Sequence, residues 1–105
     1  MLLVSSINIQ DDDFEWDDTK AAANLASHGV SFAHARVVFA DPFAIGEFDD
    51  REDYGEDRFT LVGMVEGTLI FVAYTERGER IRIISAPRAT RHEQDDYFEQ
   101  NGQTP

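Results

Sequence analysis

Apolar and polar positions alternate with two different periods along this 105-residue chain, and the change of period separates helical from extended stretches. Residues Lys20 to Ser27 read as a helix. Asp17 or Asp18 can cap it, because a short side-chain oxygen accepts orphan backbone N–H groups, and Gly29 can end it in a left-handed conformation. Its polar stripe is Lys20, Asn24, Ser27 and His28, with Ala21, Ala22 and Leu25 on the other side. Ser31 then caps a second helix whose apolar stripe is Phe32, Ala35 and Phe39, stopped by Asp41-Pro42.

The centre reads as β. Leu61 to Val65 and Leu69 to Tyr74 are apolar, β-prone runs joined through Glu66-Gly67, and Glu76 to Glu79 makes the next turn. Arg80-Ile81-Arg82-Ile83 alternates, so Ile81 and Ile83 face the core while Arg80 and Arg82 project from the opposite face. Pro42 to Phe48 adds a strand, followed by an acidic loop, Asp49 to Asp57. After Ser85, Pro87 suits a first helical turn, where its missing N–H has no intrahelical partner, and a terminal helix runs to about Gln100. Residues 1–10, with Val4, Ile7 and Ile9, read as an added edge strand or a loose arm. The sum is an α+β domain of order β-α-α-β-β-β-β-α: an antiparallel sheet packed by two N-terminal helices, with a C-terminal helix. One core is expected to hold Ile81, Ile83, Phe71, Ala73, Phe32, Ala35 and Phe39. Residues 1–13 form an N-terminal extension, 14–100 the domain and 101–105 a tail.

Charge complicates any reading that involves a polyanion. Twenty-one acidic residues stand against nine basic ones, a net charge of -12, whereas a nucleic-acid binder normally carries a basic footprint. The distribution is uneven, however. Acidic residues crowd Asp11 to Asp18 and Glu47 to Asp57, while five of the nine cations fall between Arg77 and Arg91. These arginines either form a local basic patch on an acidic body or merely neutralise neighbouring carboxylates on solvated faces. The chain has no Cys, so disulfides, thiolate ligands and thiol nucleophiles are excluded. No apolar run approaches the roughly 20 residues that span a bilayer. Met1-Leu2-Leu3-Val4 is short and lacks a basic flank, so no signal peptide and a soluble, cytoplasmic protein without membrane contact are expected.

Candidate chemistry is concentrated in a few places. Read as a helix from Pro87 onward, Arg88, Arg91 and His92 share a face at i, i+3, i+4 beside a helix start, an arrangement that favours an anion. Glu93, Asp95, Asp96 and Glu99 follow at once and can pair with them instead. His28, His34 and His92 show no metal-ligand spacing, and the acidic loop lacks the twelve-residue calcium pattern, so neither metal nor cofactor is expected. Trp16 reads as a core anchor rather than a base-stacking platform.

Phe14-Glu15-Trp16-Asp17 through His28-Gly29-Val30-Ser31-Phe32, with Ile83-Ile84-Ser85-Ala86-Pro87-Arg88-Ala89-Thr90-Arg91 near the other end, resembles the BrnT toxin family. Those blocks follow the family's order, FxWDxxKxxxNxxKHGVSF first and ISARxAT last, over roughly residues 14 to 97. Ser27 stands where the family usually has a lysine and Pro87 where it usually has an arginine. The resemblance implies a RelE-like fold and metal-independent cleavage of RNA. Such cleavage needs a base for the 2′-hydroxyl, an acid for the leaving oxygen and cations for the charge developing on phosphorus. On this resemblance His28, Arg82, Arg88, Arg91 and His92 are the catalytic candidates, and Lys20, Asn24 and Arg80 the RNA contacts. It also implies a BrnA-like antitoxin with a ribbon-helix-helix domain, so that DNA is reached only through that partner. The loss of two cations leaves a second expectation open, a catalytically weakened or inactive toxin fold kept to bind a basic antitoxin.

Overall fold

A computed structural model describes residues 13–103. The edge strand or arm expected over residues 1–10 lies outside the described residues. Strand β1 (Phe14–Glu15) leads into α1 (Asp18–His28) and the short α2 (Phe32–Ala35), which tightens into a 3₁₀ segment, Arg36–Ala40. Then come β2 (Ile45–Asp49), β3 (Arg58–Val65), β4 (Thr68–Arg77), β5 (Arg80–Ser85) and α3 (Arg91–Gln100). The five strands form one sheet in the order β1-β5-β4-β3-β2.

This sheet is mixed, where the sequence leads one to expect an antiparallel one. β2 to β5 are a hairpin-connected antiparallel meander, but β1 lies parallel to β5, with Phe14 opposite Ile81 and Glu15 opposite Arg82. The cause is the connection: β1 is separated from the meander by a helical crossover, which allows the parallel direction that a tight turn forbids.

Local chemistry sets the helix limits. Asp17 accepts a hydrogen bond from the Lys20 backbone N–H at 2.9 Å, and Gly29 ends α1 at φ 71°, its N–H returning to the Leu25 carbonyl. Ser31 caps α2 through the His34 N–H at 3.0 Å. Between β3 and β4 both central residues of the turn, Glu66 and Gly67, have positive φ, 49° and 82°, the geometry whose twist matches a hairpin.

Two cores flank the sheet. The inner one lies under α1, α2 and the 3₁₀ segment and holds Phe14, Val30, Phe32, Ala35, Val38, Val65, Ile70, Val72, Ile83 and Ala86, with Trp16, Phe39 and Ile81 packed against it. The outer one lies under α3 and is built from Val62, Leu69, Ala89 and Tyr97, with Ile45, Met64, Phe71 and Phe98. Phe71 therefore lies in a different core from Ile83, whereas the sequence led one to expect a single shared core. Alternation along β4 turns Ile70 and Val72 inward and Phe71 outward, and Ala73, two residues on, joins neither cluster.

The helical stripe is also revised. Because α2 passes into a 3₁₀ segment of about three residues per turn, the fully buried positions are Phe32, Ala35 and Val38. Phe39 is carried sideways and is only partly buried. It still meets Phe14 edge-on at 5.2 Å and Tyr74 at 5.0 Å. Gly63 lets the 3₁₀ segment approach the sheet, since a Cβ there would stand 2.8 Å from Val38 Cγ1. With two aromatic partners, Phe39→Ala should cost about 3 kcal/mol, the low end for truncating a buried aromatic. Denaturant unfolding measures this, and a loss below about 0.5 kcal/mol would remove Phe39 from the core.

Asp41 ties the layers together. Its carboxylate accepts the Met64 N–H at 2.8 Å and the Tyr97 hydroxyl at 2.7 Å, joining the end of the 3₁₀ segment to β3 and α3. Burial, then the bond to Asp41, pushes the Tyr97 hydroxyl up to about 12 from an ordinary value of 10.0. A raised pKa means that the folded state holds this proton more tightly than the unfolded one, so its stabilisation is complete below pH 10 and is lost as pH rises toward 12. Alkaline titration of the melting temperature should show a fall in that window that is shallower in Tyr97→Phe; an equal fall in both proteins would detach it from Tyr97.

Candidate nucleic-acid interface

Alternation places a cluster of arginines on the outer face of the sheet. Ile81 and Ile83 point into the inner core, so Arg80 and Arg82 point outward, and Glu15 on β1 lies beside Arg82 in register. Phe59 stacks on Tyr74 on the inner side, which turns Arg58 outward, and Arg77 pairs in register with Arg80. Glu56 bridges Arg58 and Arg77 at 3.5 Å each. Glu15 bridges Arg82 at 2.8 Å and Arg80 at 3.9 Å. The result is a horseshoe of four guanidiniums and two carboxylates around Thr75, which is buried and donates from Oγ1 to the Asp57 carbonyl at 2.6 Å.

The acidic loop holds one arm of this horseshoe. Arg51 grips Asp49 through two hydrogen bonds of 2.8 Å, and Tyr54 donates to the same carboxylate at 3.1 Å. Those Arg51 bonds hold the Asp49 carboxyl well below the usual carboxylate range, against the opposing effect of its burial. The Tyr54 ring then lies 4.2 Å from the Arg58 guanidinium carbon, a cation–π contact. Arg58 Nε is buried without a hydrogen-bond partner, Glu56 being 3.5 Å away. The loop thus uses an internal anion, Asp49, to present a cation at the open end of the sheet.

The residues singled out from the sequence fall into separate places. Arg80 and Arg82 are in the horseshoe. Lys20 is exposed in the first turn of α1, on the inner-face layer. Asn24 is 7% exposed and fully engaged: its Nδ2 donates to the Val30 and Ala86 carbonyls at 2.9 and 3.0 Å, and its Oδ1 accepts from the Ala86 N–H at 3.0 Å. It is a clamp between α1 and the segment after β5, so the expected polar stripe is broken at its middle. Leu25 is correspondingly 52% exposed and Ala22 is exposed; Ala21 packs on the core.

The segment after β5 is not helical at Pro87, contrary to expectation. The Pro87 carbonyl accepts from the Phe71 N–H and the Ala89 N–H donates to Leu69, both at 2.9 Å, so Ala86 to Ala89 runs as a strap along β4. Pro87 fits because the strap uses its carbonyl and not the N–H it lacks. Helix α3 begins only after Thr90, whose capping box with Glu93 is complete. Arg88 consequently cannot share a helical face with Arg91 and His92. It bridges to Ile70, and its Nε reaches the His28 carbonyl at 3.4 Å over the end of α1. Arg91 and His92 are exposed on α3 and pair with Asp95 at 3.3 Å and Asp96 at 3.4 Å.

Glu15, Glu56, Arg58 and Arg77 were not singled out from the sequence. The signal lay in register: Arg58 and Arg77 sit at strand ends and join Arg82 only once β3, β4 and β5 are aligned on Thr75. Among the described residues no helix is long and apolar enough to cross a membrane.

Four guanidiniums against two carboxylates leave this face with a local excess of positive charge, and a phosphodiester is the group that such an excess attracts and on which ribonuclease toxins act. The family model described as ribonuclease toxin, BrnT, of type II toxin-antitoxin system matches residues 16–93. The chain belongs to the BrnT family, and type II membership implies an antitoxin partner. A search of the curated proteins returned no match.

Proposed function

We propose that the chain is a metal-independent endoribonuclease toxin of RelE-like fold that acts on RNA in the cytoplasm and is neutralised by a BrnA-like antitoxin. That antitoxin carries a ribbon-helix-helix domain, and DNA is reached only through it. The observation that carries the site assignment is the Arg80–Glu15–Arg82 group. An RNA phosphate displaces the Glu15 carboxylate from Arg82 and is held by the two guanidiniums. The freed carboxylate takes the 2′-hydroxyl proton as O2′ attacks phosphorus and the bond from phosphorus to O5′ breaks. Arg80 and Arg82 balance the charge that builds on the equatorial oxygens. Arg58 and Arg77 extend the cationic track, and Lys20, His28 and Arg88 remain candidates for contacts and for protonating the leaving oxygen, whereas Arg91 and His92 are tied to Asp95 and Asp96 on α3 and stand apart from this group.

A second reading is favoured by the pairing of all four guanidiniums with carboxylates, by Ser27 and Pro87, and by the net charge of -12. On that reading the fold binds a basic antitoxin and cuts little RNA. Incubating a labelled RNA with the purified chain in excess chelator separates the two. The ribonuclease reading expects cleavage that persists with chelator and stops on adding the cognate antitoxin; intact RNA at micromolar chain leaves the interaction module.

A further inference from the structure

The outer face carries a second feature beside the horseshoe. Between β2 and α3 runs a trough of about 320 Å³ with Ile45, Val62 and Phe71 as its floor, Glu47 on one wall and His92 and Asp96 on the other. A stretch of about 200 Å³ continues it toward Asp50, sharing Glu47, Thr60, Phe71 and Glu93. Along both stretches Glu47, Asp49, Asp50, Glu93 and Asp96 face a single guanidinium, Arg51, which Asp49 already holds. Among the described residues Glu47 and Asp50 have no ion pair.

This combination repels a polyanion and suits the opposite ligand. A lysine or arginine lays its methylene stem on an apolar floor while its charged head reaches the carboxylates at the rim. We infer that the trough seats a cationic, amphipathic segment of the antitoxin, an assignment that rests on the reading of this chain as a toxin with a basic partner. Phe71 in the floor and Thr75 in the horseshoe lie on the same face of β4, four residues and therefore about 13 Å apart. A segment seated in the trough thus lies across the approach to the arginines, and neutralisation is by coverage.

The test titrates the full-length chain with its cognate antitoxin by calorimetry at low and physiological salt, comparing wild type with Glu47→Lys/Asp96→Lys. Reversing two rim charges should raise Kd by about a hundredfold, and wild-type affinity should fall steeply with salt. The double variant should cut RNA like wild type and continue to cut at antitoxin concentrations that silence wild type. If the double variant melts early, Glu47→Gln and Asp50→Lys, both at exposed positions, carry the same test. An unchanged Kd, or wild-type affinity flat in salt, overturns the assignment. So does a non-cleavable RNA that shifts the amide resonances of Glu47 and Phe71 where the antitoxin does not. A chain that cuts no RNA yet loses the antitoxin on charge reversal supports the trough and removes only the ribonuclease reading.

Discussion

Arg82→Ala is expected to lower RNA cleavage by about a hundredfold or more, the usual scale for removing one donor to a transition-state oxyanion. The fold should barely notice. Arg82 projects from the outer face and its bond is to Glu15, itself only partly buried, so the pair contributes about 1 kcal/mol or less to stability. Arg82→Lys should recover only part of the activity, because an ammonium cannot present the planar fork that grips two phosphate oxygens. Arg91→Ala is the informative contrast: Arg91 is 83% exposed and paired with Asp95 on a solvated helix, so a small effect is expected there. The measurement is kcat/KM on a labelled RNA in chelator, with thermal melting of each variant. Wild-type cleavage by Arg82→Ala would dismiss the horseshoe, and a large loss confined to Arg91 would move the site to α3.

That contrast shows which links were open to sequence reasoning. Caps and turns act within a few residues, and so Asp17, Gly29, Ser31 and Gly67 announced themselves. Alternation over Arg80 to Ile83 also sufficed to turn two arginines away from the core. What remained hidden depends on partners distant in sequence. Whether the stripe from Phe32 continues at 3.6 or three residues per turn depends on Gly63, which lets Val38 approach β3. Pro87 was equally compatible with a first helical turn, and the pairing of the strap with Leu69 and Phe71 decided otherwise. Arg88 lost its helical neighbours for the same reason. The horseshoe needs the register of three strands and a parallel β1, none of which is encoded by the spacing of charges along the chain.

Asn24→Ala should lower stability by about 3 to 4 kcal/mol, because it leaves two buried carbonyls without a donor and one buried N–H without an acceptor. In a domain of this size that corresponds to a fall in Tm of roughly 12 to 32 °C. Asn24→Asp should be worse than alanine, although it is nearly isosteric. It replaces two N–H donors with an oxygen facing the Val30 and Ala86 carbonyls, and it buries a charge that only the single Ala86 N–H opposite Oδ1 offsets. This order, asparagine above alanine above aspartate, distinguishes a buried clamp from a surface contact with RNA, for which alanine and aspartate would leave Tm unchanged and only cleavage would respond. The clamp also fixes Ala86, the first residue of the strap that carries Arg88 over the end of α1. The Arg80–Glu15–Arg82 group lies on the opposite face of the sheet, so cleavage by Asn24→Ala should stay close to wild type at low temperature and disappear as the variant unfolds. Melting curves and rates taken on the same samples decide the matter: a Tm within about 4 °C of wild type, equivalent to less than 1 kcal/mol, would return Asn24 to the surface role.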